Sequence, residues 1–166
     1  LYGTPAESLT HTFCTKDRAE FGEIKDITDK GYYTNSFHYD VRKKPTPFEK
    51  IEFEKDYPYY SKGGFIHYCE FPSLINNIEG LEAVWDYAYD RIGYFGTNTP
   101  IDKCFECGYE GEFEPTDEGF QCPQCGNHNP HTTNCTRRTC GYLGNPIERK
   151  VIKGRLLEEQ ARVKHM

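Results

Sequence analysis

Apolar side chains recur along this chain at two spacings, and the spacings predict its elements. Leu9 and Phe13 stand four apart on one helical face, in a segment that opens with Thr4, Pro5, Ala6 and Glu7. Thr at the N-cap, Pro at the first helical position and Glu at the third make a capping-box start. A helix to about Glu20, stopped before Gly22, follows. Residues 32–41 are rich in aromatic and β-branched side chains and predict a strand. Residues 47–52 suggest a short helix, halted by Pro58. After Gly63 and Gly64, the aromatic run over 65–71 predicts a buried or half-buried strand. Leu74, Ile75, Ile78, Leu81, Val84, Trp85, Ala88 and Ile92 keep a helical period over 73–92, with Gly80 a point of potential breakage. A last helix over 146–163 carries Ile147, Val151, Leu156 and Leu157. Strands alternating with helices make residues 1–100 a piece of an α/β architecture, with too few strands to close a sheet or barrel alone. There is no internal repeat and no low-complexity segment.

The 166 residues suffice for one ordinary domain, or a core with a small satellite. The chain begins with Leu1 rather than Met, which suggests a fragment of a longer polypeptide. A net charge of −6 repels phosphate backbones and anionic lipid, which argues against a general nucleic-acid or membrane-surface role. No apolar run approaches the length of a bilayer span, and the first residues lack a signal pattern. The charge is unevenly spread. Residues 101–128 hold seven carboxylates and one lysine, whereas 137–166 hold eight Lys and Arg against three Glu. The acidic insert and basic tail either pair in space or form two solvated surfaces.

Eight cysteines change the picture further. Four fall in two C-x-x-C pairs, Cys104 with Cys107 and Cys122 with Cys125, separated by fourteen residues; Cys14, Cys69, Cys135 and Cys140 show no disulfide-framework spacing. That distribution reads as metal binding in a reducing compartment, hence the cytoplasm. Each C-x-x-C turn aims two sulfurs into one hemisphere, and the residues between can return as a β-hairpin. Four thiolates close a tetrahedron around Zn²⁺ with no open position, so the expected metal is structural zinc. Rubredoxin-like iron takes similar ligands. His128 and His131 follow the second pair and are expected to be polar loop residues. A zinc ribbon also raises a nucleic-acid-binding module as an alternative, opposed by the ribbon's own acidity.

The loop from Asn134 to Pro146 contains Gly141 and Gly144, which by themselves are turn glycines before a helix. In order, however, Arg138-Thr139-Cys140-Gly141-Tyr142-Leu143-Gly144 resembles the glycyl-radical motif of anaerobic (class III) ribonucleoside-triphosphate reductases. Members of that family also carry a four-cysteine zinc module just upstream and a short tail downstream. Thr4 to Ser8, and Tyr33-Thr34-Asn35-Ser36, look like the family's large catalytic subunit as well. The resemblance covers essentially the whole chain, is close to phage-type members, and corresponds to the C-terminal quarter of the subunit.

The resemblance implies a ten-stranded α/β barrel into which the glycyl loop inserts, working as a homodimer. Residues 1–100 would then be the C-terminal portion of the barrel, 101–130 a four-cysteine zinc ribbon, and 131–166 the radical loop with a C-terminal helix. It implies a radical on Gly141, generated by a radical-SAM activating protein with a 4Fe-4S cluster. Glycine suits that role because a Cα radical must be planar, and glycine has no Cβ to clash. The stored radical would generate a thiyl that takes the 3′-hydrogen of a ribonucleoside triphosphate, with formate as reductant and nucleotides as effectors. The thiyl cysteine belongs to the N-terminal part of the subunit. Cys14, Cys69 and Cys135 do not match its context, and Cys140 is part of the loop. Ala6, Glu7 and Ser8, at a capped helix start, are candidates for substrate-phosphate binding; an ordinary helix cap is the alternative. Another glycyl radical enzyme, a relative of pyruvate formate-lyase, is the runner-up.

Overall fold

The computed structural model of the chain describes residues 9–34, 37–139, 142–145 and 153–165. Helix α1 (Leu9–Phe21) ends where Gly22 takes a positive φ of 79°, as the sequence predicts; its capping box at 4–7 lies outside the described residues. Leu9 and Phe13 are exposed, and the inward side chain of α1 is Cys14. Helix α2 (Pro47–Glu54) starts where expected, at a capping box formed by Thr46 and Glu49, and runs two residues further than predicted. Thr46 Oγ1 accepts from Glu49 N at 3.2 Å, and Glu49 Oε2 accepts from Thr46 N at 2.7 Å. Pro58 opens a further short helix, α3 (Tyr57–Tyr60), rather than ending one in a loop. Proline serves there because the first helical turn has no partner for its N–H.

The next element is the predicted strand, β1 (His67–Glu70), followed by α4 (Ile78–Tyr89) and β2 (Phe95–Asn98). The strands pair in parallel, His67 with Phe95 through Glu70 with Asn98, so β1, α4 and β2 form a β-α-β unit. Helix α4 begins at Ile78, not near 73, because the Asn77 side chain caps it by accepting from Gly80 N at 3.2 Å. Gly80 therefore lies in the first turn and does not break the helix. Ile51, Cys69, Phe71, Leu74, Val84, Ala88 and Ile92 bury one core between α2, the β-α-β unit and its loops. Among the described residues no helix is long and apolar enough to cross a membrane.

The strand expected over 32–41 is absent among its described residues. Its aromatic side chains do pack, Phe37 stacked on Tyr57 and Tyr39 edge-on to Phe53. The backbone, however, is engaged elsewhere: Tyr33 N donates to Thr10 O, and Tyr39 N donates to Glu54 Oε1. That second bond belongs to a buried polar network. The fully buried Glu54 carboxylate meets Lys50 Nζ, His38 Nδ1 at 3.2 Å and His67 Nδ1 at 2.6 Å. His67 Nε2 in turn lies 3.3 Å from Cys69 Sγ. Burial alone would raise the Glu54 pKa, but the donors around it outweigh burial and hold it low.

The remaining strands are short. β3 (Asp102–Cys104) is central in an antiparallel sheet with β4 (Glu110–Gly111) and β7 (Thr133–Asn134). β5 (Glu114–Thr116) and β6 (Gly119–Gln121) form the hairpin expected between the cysteine pairs. β8 (Arg137–Thr139) and β9 (Tyr142–Gly144) form another, and α5 (Lys153–Ala161) follows. Residues 146–152 of the expected last helix lie outside the described residues. Helix α5 crosses α1 closely: a Cβ on Gly154 would overlap His11 Cβ. The architecture is thus mixed helix and strand.

Beyond α5 the chain stops being helical, because the tail has other partners. Arg162 pairs with Glu70 at 3.1 Å, and Val163 N donates to Val41 O. His165 N donates to Glu70 O, and His165 Nδ1 accepts from Glu70 N, each at 2.9 Å. A single residue thereby covers part of the β1 edge that faces away from β2. Burial lowers the His165 pKa to about 4, and the acceptor role of Nδ1 requires the neutral ring. The unfolded chain binds a proton at about 6.5. Stability linked to His165 is therefore full above that value and lost as pH falls toward about 4, by about 3 kcal/mol. Thermal unfolding at pH 7.5 and pH 4.5 should show a larger loss for the natural sequence than for His165→Asn.

Candidate metal centre and the glycine hairpin

Two copies of one backbone turn build the four-cysteine cluster. In each, C-x-x-C is followed by glycine: Cys104 to Cys107 by Gly108, and Cys122 to Cys125 by Gly126. The glycine N–H donates to the first cysteine's carbonyl, Gly108 N to Cys104 O at 3.0 Å and Gly126 N to Cys122 O at 2.8 Å. The first cysteine's own N–H closes the turn, donating to Tyr109 O and to Asn127 O at 2.9 Å each. Both glycines hold φ near +75°, at 76° and 72°, where a Cβ would be strained. The sequence thus repeats at the turn because the backbone does.

The turns bring all four sulfurs within 4.8 Å of one another. Cys104 and Cys125 are 3.6 Å apart, as are Cys107 and Cys122, far beyond a disulfide bond. Thiolates of a tetrahedral zinc site at Zn–S of about 2.3 Å stand about 3.8 Å apart. The donor set therefore fits zinc in size and softness, and it fills four positions without another ligand. Burial opposes ionisation of Cys104, but hydrogen bonds from Asn127 Nδ2 and nearby backbone N–H groups outweigh it and lower its pKa to about 6. A backbone hydrogen bond from Asn127 favours the Cys125 thiolate, but desolvation and the other three sulfurs outweigh it and push its pKa up to about 12. Such a set releases its protons most readily to a cation. His128 and His131 are exposed, and His128 Nδ1 contacts Gly126 O rather than the cluster. Asn127, which no cysteine motif announces, is the added polar partner: it holds Cys104 Sγ at 3.5 Å and Thr132 Oγ1 at 2.9 Å.

Strand β3 links this cluster to the glycine hairpin. Alternation along β3 buries Asp102 and Cys104 on the same face. The Asp102 carboxylate accepts from Phe113 N at 2.7 Å, Thr136 N at 3.2 Å and Arg137 Nη1 at 2.5 Å, with Arg137 Nη2 on its second oxygen. Arg137 is itself buried, donates to Phe113 O, and lies over the Phe120 ring at 5.4 Å. Cys104, Phe113, Phe120, Cys122 and Cys135 form the small core around the pair. The acidic insert and the basic tail do pair, through Asp102 with Arg137 and Glu112 with Lys164 at 2.6 Å.

Arg137 opens β8, whose register with β9 is Arg137 opposite Gly144, Arg138 opposite Leu143 and Thr139 opposite Tyr142. Cys140 and Gly141, between the strands in sequence, lie outside the described residues, as do Ala6, Glu7 and Ser8. Of the other cysteines, Cys14, Cys69 and Cys135 are separate, buried thiols. Cys69 is pushed up to about 12 by burial, an inert setting.

The chain is similar to known proteins along its whole length. The chain is 55% identical over its full length to the anaerobic ribonucleoside-triphosphate reductase of Escherichia coli (strain K12), and covers 23% of that protein. It is 53% identical to the enzyme of that name from Enterobacteria phage T4, with 99% of this chain and 27% of the relative covered. The chain thus spans about a quarter of the length of these curated relatives. Two solved structures share the fold: one of an anaerobic ribonucleotide reductase, with a TM-score of 0.69 and 24% identity over 98% of this chain and 24% of the other. The other is that of Thermotoga maritima in complex with dATP and CTP, with a TM-score of 0.56 and 22% identity over 96% and 23%. None of these relatives supports the lyase-like or nucleic-acid-ribbon alternatives. The profile of the anaerobic ribonucleoside-triphosphate reductase family matches residues 1–165, and the chain belongs to that family.

Proposed function

We propose that this chain is the C-terminal part of an anaerobic ribonucleoside-triphosphate reductase and carries the enzyme's radical on Gly141. The observation that carries this reading is the family match over residues 1–165, within which the Arg-Thr-Cys-Gly-Tyr-Leu-Gly segment coincides with the β8–β9 hairpin. Residues 1–100 belong to a ten-stranded α/β barrel, which the parallel β1–α4–β2 unit supports. Residues 101–130 are the zinc ribbon, and 131–166 are the radical loop with its C-terminal helix.

Cys104, Cys107, Cys122 and Cys125 would hold Zn²⁺, which supplies structure rather than chemistry because four thiolates leave no open position. A radical-SAM activating protein with a 4Fe-4S cluster removes a hydrogen atom from Gly141. The glycyl radical regains a hydrogen atom from a cysteine thiol outside this chain, and the thiyl so formed takes the 3′-hydrogen of a ribonucleoside triphosphate, while formate supplies the reducing electrons. The hairpin's task is to keep the radical positioned and away from water. Nucleotides serve as substrate and effectors, in keeping with the dATP and CTP of the Thermotoga maritima structure. Ala6, Glu7 and Ser8, which precede α1 in sequence, contact a substrate phosphate. The working form is a homodimer in the cytoplasm, each subunit completed by its N-terminal part. Without that part the chain does not turn over.

Two outcomes test the reading. In the full-length subunit, Cys122→Ser should abolish stoichiometric zinc and block radical formation while leaving nucleotide binding largely intact. Normal radical yield in the zinc-free variant would contradict the role given to the ribbon. Brief exposure of the activated subunit to air should cut the chain at 141, releasing a tail that begins at Tyr142. Mass spectrometry of that tail, absent in Gly141→Ala, identifies the radical position.

A further inference from the structure

Strand β7, Cys135, Thr136 and strand β8 run consecutively, so the chain leaves the ribbon sheet and enters the glycine hairpin within two residues. At that passage Arg137 is 7% exposed and Asp102 1% exposed, joined by a two-bonded fork that also takes Thr136 N and Phe113 N. Asp102 shares the buried face of β3 with Cys104, two residues away. A guanidinium and a carboxylate in this arrangement fix direction as well as distance, which a lysine cannot reproduce. Neither group is spare. Every Asp102 oxygen is occupied, and Arg137 reaches the strand, the Phe113 carbonyl and the Phe120 ring together.

We propose that Asp102 and Arg137 are positioning residues for Gly141, locking β8 onto the ribbon so that the folded four-cysteine module sets where the glycine hairpin stands. This rests on the reading of Gly141 as the radical residue. The pair touches neither substrate nor the radical, and acts through the hairpin four residues before the glycine. The ribbon's contribution to the radical is then carried by one identifiable contact rather than by its surface alone.

The test uses the full-length subunit with its activating protein, in natural sequence and as Arg137→Lys and Asp102→Asn/Arg137→Met. The double variant removes both charges and keeps apolar bulk, so no unpaired charge remains buried. Both variants should retain one zinc per chain and the natural amide protection of the two cysteine turns, 104–108 and 122–126. Amides at 137–139 and 142–144 should exchange at least tenfold faster, and radical yield by electron paramagnetic resonance should fall at least tenfold. Zinc-loaded variants with unchanged hairpin exchange and full radical yield would overturn the proposal. Should the double variant fail to fold, Arg137→Lys decides by the same two readings. Should the unaltered subunit itself form no radical, the Gly141 reading fails, and the hairpin exchange still decides whether the pair positions β8.

Discussion

A carboxylate withdrawn from water must be met by donors on nearly all sides, and this chain is organised around two that satisfy that demand. Asp102 draws a guanidinium and two backbone N–H groups onto itself, so that three separate segments meet there. Because those segments are the ribbon's central strand, the stretch before β5 and the start of the glycine hairpin, saturating one side chain fixes their relative placement. Glu54 does the same in the helical part, gathering Lys50, His38, His67 and the Tyr39 N–H. The apolar clusters beside each carboxylate are small, and the polar networks give them their register.

The same principle explains which features could be read from the sequence. Paired C-x-x-C spacing encodes a local backbone turn, and the repeated glycine after each pair encodes its positive φ, so the cysteine grouping was visible in one dimension. Helix ends at Gly22 and the β1 strand were likewise local signals. The failure over 32–41 was of the opposite kind: aromatic composition suggested a strand, but the Tyr39 N–H that a ladder needs is taken by Glu54, fifteen residues away. Nothing in the order of residues announces that Asp102 would meet Arg137 across 35 positions, or that Asn127 would turn to Cys104. Strand β2, only four residues with Gly96 inside, has too little pattern to be found before its parallel partner is known.

Several large apolar side chains stand in solvent here, among them Leu9, Phe13, Trp85 and Tyr89. Helix α4 illustrates the point: Val84 and Ala88 face the core, while Trp85 and Tyr89 carry an equally apolar face outward. A face of that kind is unusual on a self-contained surface. The chain that carries it spans about a quarter of the length of its curated relatives.

Storage of a radical on Gly141, as proposed, is read out by electron paramagnetic resonance on the full-length subunit activated without oxygen by a radical-SAM activating protein. A radical on Gly141 gives a doublet that collapses when the protein is made with deuterated glycine and that is absent from Gly141→Ala. A zinc-loaded subunit that yields no such signal, or one that persists unchanged in Gly141→Ala, would contradict it.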